Sequence, residues 1–445
     1  MKLVYDVDAK IKDMGFLNTL VFALQQLLAI MAATIAVPAI IGNGMSATAA
    51  LFGAGVGTLV YLLFTKFRSP VFLGSSFAFI GSMFAAFAGG VSMAAGYLGL
   101  ILGAAFAGLV YVVLAICVKF AGVGWINKLM PPVVIGPTVA IIGLSLSGNA
   151  VGDLAKGSVL ADGVPTASPY VALICGLVTL FVTIISSVYG KKMIKLIPFI
   201  MGILAGYAVA TVFTLIGTAT ENAALMVIDF AKFEAMKWVP DFTFITAFSG
   251  LKDIDAAYIG TVAVAYVPVA FVVFAEHIAD HKNLSSIIEK DLLTEPGLHR
   301  TLLGDGIGSF AGSIFGGCPN TTYGESVGCV AISGNASVAT IFTTAIMAIV
   351  ISFFGPFATF LSTIPSCVMG GICIALYGFI AVSGLKMIQA IDLNQNKNLF
   401  VVSVILIAGV GGLAVTFGKV TITSIACALI LGIITNTIVG KAKEE

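Results

Sequence analysis

The stretch CPNTTYGESVG, residues 318–328, places a proline, an asparagine, two threonines, a tyrosine and a glutamate in a row within an otherwise apolar chain. A helix facing lipid would not carry this run. Unwound backbone leaves N–H and C=O groups unpaired, and at membrane depth it is tolerated only where protein buries it or where it lines a cavity. The run is therefore a break inside a membrane span, not a surface loop, and the rest of the chain is organised around it.

The surrounding composition supports that reading. Of 445 residues, 59% are hydrophobic and 10% charged, against about 25% charged in ordinary soluble domains. Apolar segments fall at 16–41, 46–65, 70–89, 93–118, 125–148, 168–188, 194–217, 256–280, 300–317, 318–333, 336–362, 366–384, 397–417 and 420–439. Most are long enough for a hydrocarbon core of about 30 Å. The expectation is an all-α polytopic membrane protein with fourteen spans. Residues 1–15 are polar and charged, which predicts no removable targeting segment.

An even number of spans puts both termini on one face. Sorting the 22 Lys and Arg between the faces leaves 17 on the side of the termini and 5 on the other, which predicts cytoplasmic termini. The net charge of +1 and the lack of a basic run give no reason to expect nucleic acid as a partner. The seven cysteines lie in or beside apolar segments without CxxC spacing and read as small hydrophobes, not disulfides or metal ligands.

A second span is broken in the same way. PVFLGSSFA, residues 70–78, carries Gly74, Ser75 and Ser76 where a helix would favour Leu and Ala. It is the third span and CPNTTYGESVG the tenth, so the breaks fall at matching places in two halves of seven spans. Ser75-Ser76-Phe77 aligns with Thr321-Thr322-Tyr323 at an offset of 246 residues. Halves of seven spans have opposite topology, and interrupted segments at matching places in inverted repeats point to a transporter's binding site. The polar connection from Thr218 to Ala256 divides the halves.

Four acidic residues fall within the apolar segments: Glu276, Asp280, Asp305 and Glu325. A carboxylate at the bilayer centre costs about 2.5–3.5 kcal/mol even on the lenient insertion scale, so each needs a reason. Glu276 and Asp280 lie four apart on one helix face, where crowding disfavours double ionisation and suits the pair to take up a proton; alternatively the span ends there and Asp280, His281 and Lys282 are wetted by the cytoplasm. Glu325 stands at the start of a half-helix, among free N–H groups at a positive dipole end, either as a ligand to substrate or as a cap. For Asp305 structural pairing is expected. Gln26 can bond across helices or reach a ligand, and Phe77 and Tyr323 can stack on a planar ring or simply pack. The three histidines, 277, 281 and 299, are placed at the cytoplasmic ends of the eighth and ninth spans, without metal-site spacing.

The motifs LGSSFAFI (73–80), FAEHIADHKNLSSII (274–288), DLLTEPGLHRTLLGDG (291–306), PNTTYGESVG (319–328) and LQQLLAIMAATIAVP (24–38) resemble the nucleobase–cation symporter-2, or nucleobase–ascorbate transporter, family, and within it bacterial uracil permeases. The resemblance covers essentially the whole chain. It implies that the third and tenth spans are part strand and part half-helix, with a core domain of residues 1–118 and 256–362 and a gate domain of residues 119–255 and 363–445. It further implies a bacterial inner (plasma) membrane location, proton symport of a nucleobase without a cofactor, and homodimers in related members. Carried over by motif, Glu276 and Glu325 bind the pyrimidine, Phe77 and Gly324 offer backbone groups to it, and Tyr323 shapes the pocket. Two positions depart from the uracil-transporting pattern: Gln26 and Asp280 each stand where a histidine is found, the second of them linked to proton handling.

The runner-up readings are a purine or xanthine symporter, disfavoured because such members carry glutamine where Glu325 stands, and an uncoupled nucleobase facilitator. An embedded enzyme would need a nucleophile or metal constellation that the sequence lacks.

Overall fold

The computed structural model of the protein describes residues 3–122, 125, 131–161, 164–191, 193–417 and 420–440. Of the basic residues counted for orientation, Lys2, Lys128, Lys192, Lys419, Lys441 and Lys443 lie outside these ranges. In chain order the first half comprises α1 (Phe16–Ile41), α2 (Ala47–Phe64), the short strand β1 (Leu73–Ser75), a single turn Phe77–Phe79 leading into α3 (Ile80–Phe87), α4 (Met93–Ala121), α5 (Pro132–Ser145), α6 (Pro169–Tyr189) and α7 (Pro198–Ala219). The second half holds α8 (Ala256–Ile288), α9 (Leu298–Ile314), β2 (Asn320–Thr322), α10 (Gly324–Ser333), α11 (Val338–Ser352), α12 (Gly355–Thr363), α13 (Ser366–Gln389), α14 (Asn396–Val410) and α15 (Ser424–Val439). Among the described residues, eight helices are long and apolar enough to cross a membrane, or nine if α11 and α12, bent by 82°, count as one.

Both predicted breaks are present, and they meet. β1 and β2 pair antiparallel with Leu73 opposite Thr322, Gly74 opposite Thr321 and Ser75 opposite Asn320. Ser76 N–H extends the ladder to Pro319 O at 2.8 Å. The strand starts and the first helical residues, Phe77 and Gly324, stand 247 apart, so the equivalence of the two segments slides by one residue from the 246 expected. The reason is that helix resumes immediately after Ser76 and Tyr323, making those two the matching residues.

A two-stranded ladder leaves outer edges that lipid cannot satisfy. Hydroxyls from the preceding helices serve them. Thr58 on α2 accepts from Leu73 N–H at 2.9 Å and donates to Leu73 O at 3.3 Å, while Ser309 on α9 accepts from Asn320 N–H at 2.9 Å. Space for the strands comes from a glycine seam between α2 and α9, of the small-xxx-small type that lets membrane helices approach closely. A Cβ on Gly53 would lie 2.5 Å from Gly312 O, and one on Gly57 2.7 Å from Gly308 O. Asn320 fills the seam and donates to Gly53 O at 3.1 Å.

Two other features differ from expectation. α8 does not end at Asp280 but continues to Ile288. His277 and His281, placed by sequence at a wetted cytoplasmic end, are both fully buried, because their ring nitrogens find partners on α2 and α9 that sequence spacing does not reveal. The N-terminal segment lies along the far end of α10: Val4 N–H donates to Gly334 O at 2.8 Å, Ala336 N–H donates to Tyr5 O at 2.9 Å, and Asp8 pairs with Lys290 at 2.8 Å.

Candidate functional site

A cavity of about 370 Å³ opens beside the strand pair, within the range usual for small-molecule sites. One wall is the broken pair and α8, contributing Phe77, Glu276, Asp280, Tyr323, Gly324 and Glu325. The opposite wall comes from α5, α7 and α13 and is apolar, including Val139, Phe199, Phe379 and Met387, except for Ser383. Six of the residues singled out from sequence therefore line one space, although the extreme members, Phe77 and Glu325, stand 248 positions apart.

Local structure explains their placement. The turn at Phe77 and the first turn of α10 at Gly324 both start directly from the strands, so each presents main-chain N–H groups that no preceding turn can accept. Glu325 stands in the first turn of α10. Glu276 and Asp280 reach the same cavity from consecutive turns of α8. Asp280 is held there by Thr322, whose hydroxyl donates to it at 2.7 Å; this ties α8 to the last residue of β2 and shows Asp280 as a cavity residue, not a wetted helix end. Tyr323 donates its hydroxyl to Ser75 O at 2.6 Å. Its oxygen is thus engaged in joining the two breaks, and its contribution to the cavity is the ring.

Gln26 does not line this cavity. Its amide donates to Ser326 Oγ at 2.5 Å, and that oxygen also accepts from Phe72 N–H at 3.3 Å. Gln26 therefore braces both broken spans from behind, the cross-helix alternative of its two readings. Asp305 pairs with His277 at 2.7 Å, the structural pairing expected for it.

Thr321 was not anticipated. It lines the cavity, and its hydroxyl is buried without a partner. The period-2 alternation of a strand gives the signal: Asn320 turns into the helix seam, while Thr321 and Tyr323 share the other face. In Thr321→Val, a near-isosteric change, ligand affinity is expected to fall by roughly threefold to tenfold, the worth of one neutral hydrogen bond, with the thermal melt unchanged; isothermal titration and a melt check this.

A larger space of about 530 Å³ lies elsewhere, among Met45, Asp153, Lys232, Lys237, Asp241 and Met369. It touches neither break, and two of its charges pair with each other, Lys237 with Asp241 at 2.8 Å. Size alone does not make it the site; the smaller cavity collects unwound backbone, half-buried carboxyl groups and an orphan hydroxyl.

Helices of membrane-crossing length, closing with two broken segments on a cavity that is polar on one side, define a multi-pass membrane permease, not an enzyme. The sequence profile of the Permease family, that of xanthine and uracil permeases, matches residues 17–418. The chain belongs to this nucleobase–cation symporter-2 family. It is 40% identical to the uracil permease of Bacillus subtilis (strain 168), over 95% of this chain and 93% of that one. It is 35% identical to the uracil permease of Escherichia coli (strain K12), over 94% and 90%. Among solved structures, the transmembrane domain of the cyanobacterial bicarbonate transporter BicA has the same fold, with a TM-score of 0.65, 15% identity, and 97% of this chain and 99% of that one covered.

Proposed function

We propose that this permease imports uracil together with a proton, by alternating access. The observation that carries the reading is the convergence of Phe77, Gly324, Glu276 and Glu325 on one cavity. Uracil is flat and neutral, with two ring N–H donors and two carbonyl acceptors. The carboxyl groups of Glu276 and Glu325 accept from the ring N–H groups, and the free main-chain N–H groups at Phe77 and Gly324 donate to the carbonyls. The Phe77 and Tyr323 rings give the base an apolar edge. Kinship with permeases named for uracil supports the choice of base.

In this reading the apolar segments make fourteen spans in a seven-plus-seven inverted repeat with cytoplasmic termini. Residues 1–118 and 256–362 move as a core against a gate of residues 119–255 and 363–445. The cavity lies where the two meet, since its polar wall comes from the first set and its apolar wall from the second. Glu276 and Asp280, four residues apart on α8, are the cavity groups that take up the proton, which relieves their mutual repulsion as the base binds.

One proton moving inward through 100 mV supplies about 2.3 kcal/mol, enough for roughly fifty-fold accumulation of a neutral solute. Purified protein in proteoliposomes is expected to concentrate labelled uracil when the interior is made alkaline and to stop when a protonophore is added. Uptake that ignores the imposed gradient contradicts the coupling. Stronger competition by unlabelled xanthine than by unlabelled uracil contradicts the choice of substrate.

A further inference from the structure

Behind α8, on the side away from the cavity, lies a buried polar chain that the site above does not use. It links Ser69, Tyr61, His281, His277, Thr301 and Asp305. The two imidazole rings stack at 4.1 Å with planes 26° apart, and both histidines are fully buried. Neither histidine, nor Asp305, lines the cavity.

Donor and acceptor logic assigns the protons. His281 Nδ1 lies 2.8 Å from His277 O; a carbonyl only accepts, so Nδ1 carries a hydrogen. In the neutral ring Nε2 then accepts from the Tyr61 hydroxyl at 2.7 Å, and Tyr61 accepts from Ser69 at 2.7 Å. His281 is satisfied without charge. His277 differs. Thr301 donates its hydroxyl hydrogen to Leu298 O at 3.0 Å, so towards His277 Nε2, at 2.9 Å, it can only accept. Nε2 therefore bears hydrogen. The remaining contact, Nδ1 to Asp305 Oδ2 at 2.7 Å, must hold one further proton, whether as a carboxylic acid donating to imidazole or as an imidazolium donating to carboxylate. Without that proton two lone pairs would face each other across 2.7 Å, or Thr301 would have to turn from Leu298 and leave an uncompensated carboxylate buried.

The pair also has a polar neighbour. A chamber of about 10 Å³, the volume one water needs, is lined by Tyr111, Asp305, Ser309 and Asn320. The Tyr111 hydroxyl and Asn320 Oδ1 are buried there without partners. One water there would complete their bonding and connect Asp305 to Asn320, whose main chain pairs with Ser75 in the ladder. The proton is thus held next to the strand pair that shapes the cavity, but from the opposite side. The titratable groups facing the pair are Tyr111 on α4, Tyr61 on α2 through His281, and, along α8 itself, His281, Glu276 and Asp280; Glu325 on α10 is the nearest acidic group beyond them that belongs to the cavity.

We infer that His277 and Asp305 form a proton-binding site of the transporter, separate from the cavity carboxyl groups, whose occupancy is coupled to substrate movement. An ionisable pair with one member, His277, on a helix of membrane-crossing length is a candidate for function by default. The inference rests on the proton-symport reading and adds to it a second place where a proton is bound.

The test is Asp305→Asn in the full-length chain, reconstituted in proteoliposomes. The amide can donate to His277 Nδ1 as the neutral acid does, but it cannot release a proton. With folding verified by elution profile and thermal melt, uracil accumulation driven by an alkaline interior is expected to fall from the wild-type ratio to about one, that is, to equilibration. A folded variant that accumulates uracil as the wild type does overturns the site and leaves symport standing. If the wild type itself ignores the gradient, the symport reading fails. In that case, or if the variant does not fold, nitrogen-15 spectra of histidine-labelled wild type decide whether the proton is bound. Nε2–H with a second proton shared at Nδ1 supports the site, and a neutral ring with Nδ1–H and bare Nε2 overturns it.

Discussion

Gly74→Val is expected to abolish uracil uptake. Gly74 sits at the centre of the strand pair, opposite Thr321, and a Cβ there would run into the Tyr323 ring and come within 2.9 Å of Thr34 Oγ1. The ring has no freedom to yield, because its hydroxyl bonds Ser75 O across the two breaks. Overpacking of this kind costs about 1–3 kcal/mol, and loss of the Tyr323 bond adds about 1 kcal/mol. The strain falls on the pair of segments that carries Phe77 and Gly324, so binding suffers more than global stability. Gly328→Ala, on α10 but outside the cavity lining, is the matched control. Its Cβ meets nothing within 4 Å, so the variant is expected to melt and to transport like the wild type. Uptake assays and thermal melts on the two variants should separate cleanly; equal uptake by both would mean that the ladder does not position the site.

Glu325→Gln is expected to weaken uracil binding by roughly 10- to 150-fold, the 1.5–3 kcal/mol carried by a hydrogen bond to a charged group. The carboxyl group lies in the first turn of α10 and lines the cavity. An amide of the same shape can present an N–H towards a ring N–H, replacing attraction with repulsion. Competition by xanthine is expected to rise relative to uracil, since the change brings position 325 to the glutamine expected of purine-transporting relatives. Titration calorimetry with both bases measures each effect. A variant with unchanged uracil affinity would remove Glu325 from the binding set.

The breaks were legible in the sequence because proline, glycine and hydroxyl residues interrupting apolar runs have one physical reading at membrane depth. Pro70 and Pro319 lack an N–H, and Gly74 tolerates what a side chain would not. From the breaks followed the cavity residues Phe77, Tyr323 and Glu325, from their i,i+4 spacing Glu276 and Asp280, and from the family resemblance Gly324. Three things were not legible. The apolar wall of the cavity, such as Val139 and Phe379, has the composition of any lipid-facing helix, so only packing reveals it. His277 and His281 looked like residues of a wetted helix end because Tyr61 and Asp305, which bury and satisfy them, are remote or on another helix. The equivalence of the two broken segments was off by one residue because hydroxyl-rich triplets align as well at 246 as at 247; only the points where helix resumes fix the count.

A structure of the protein with uracil bound would show where the base sits. The base is predicted to lie in the cavity of about 370 Å³, with its ring N–H groups on the carboxylates of Glu276 and Glu325 and its carbonyls on main-chain N–H groups at Phe77 and Gly324. Uracil seated instead among Met45, Asp153 and Lys232 in the larger space, with the strand pair making no contact to it, would contradict the account.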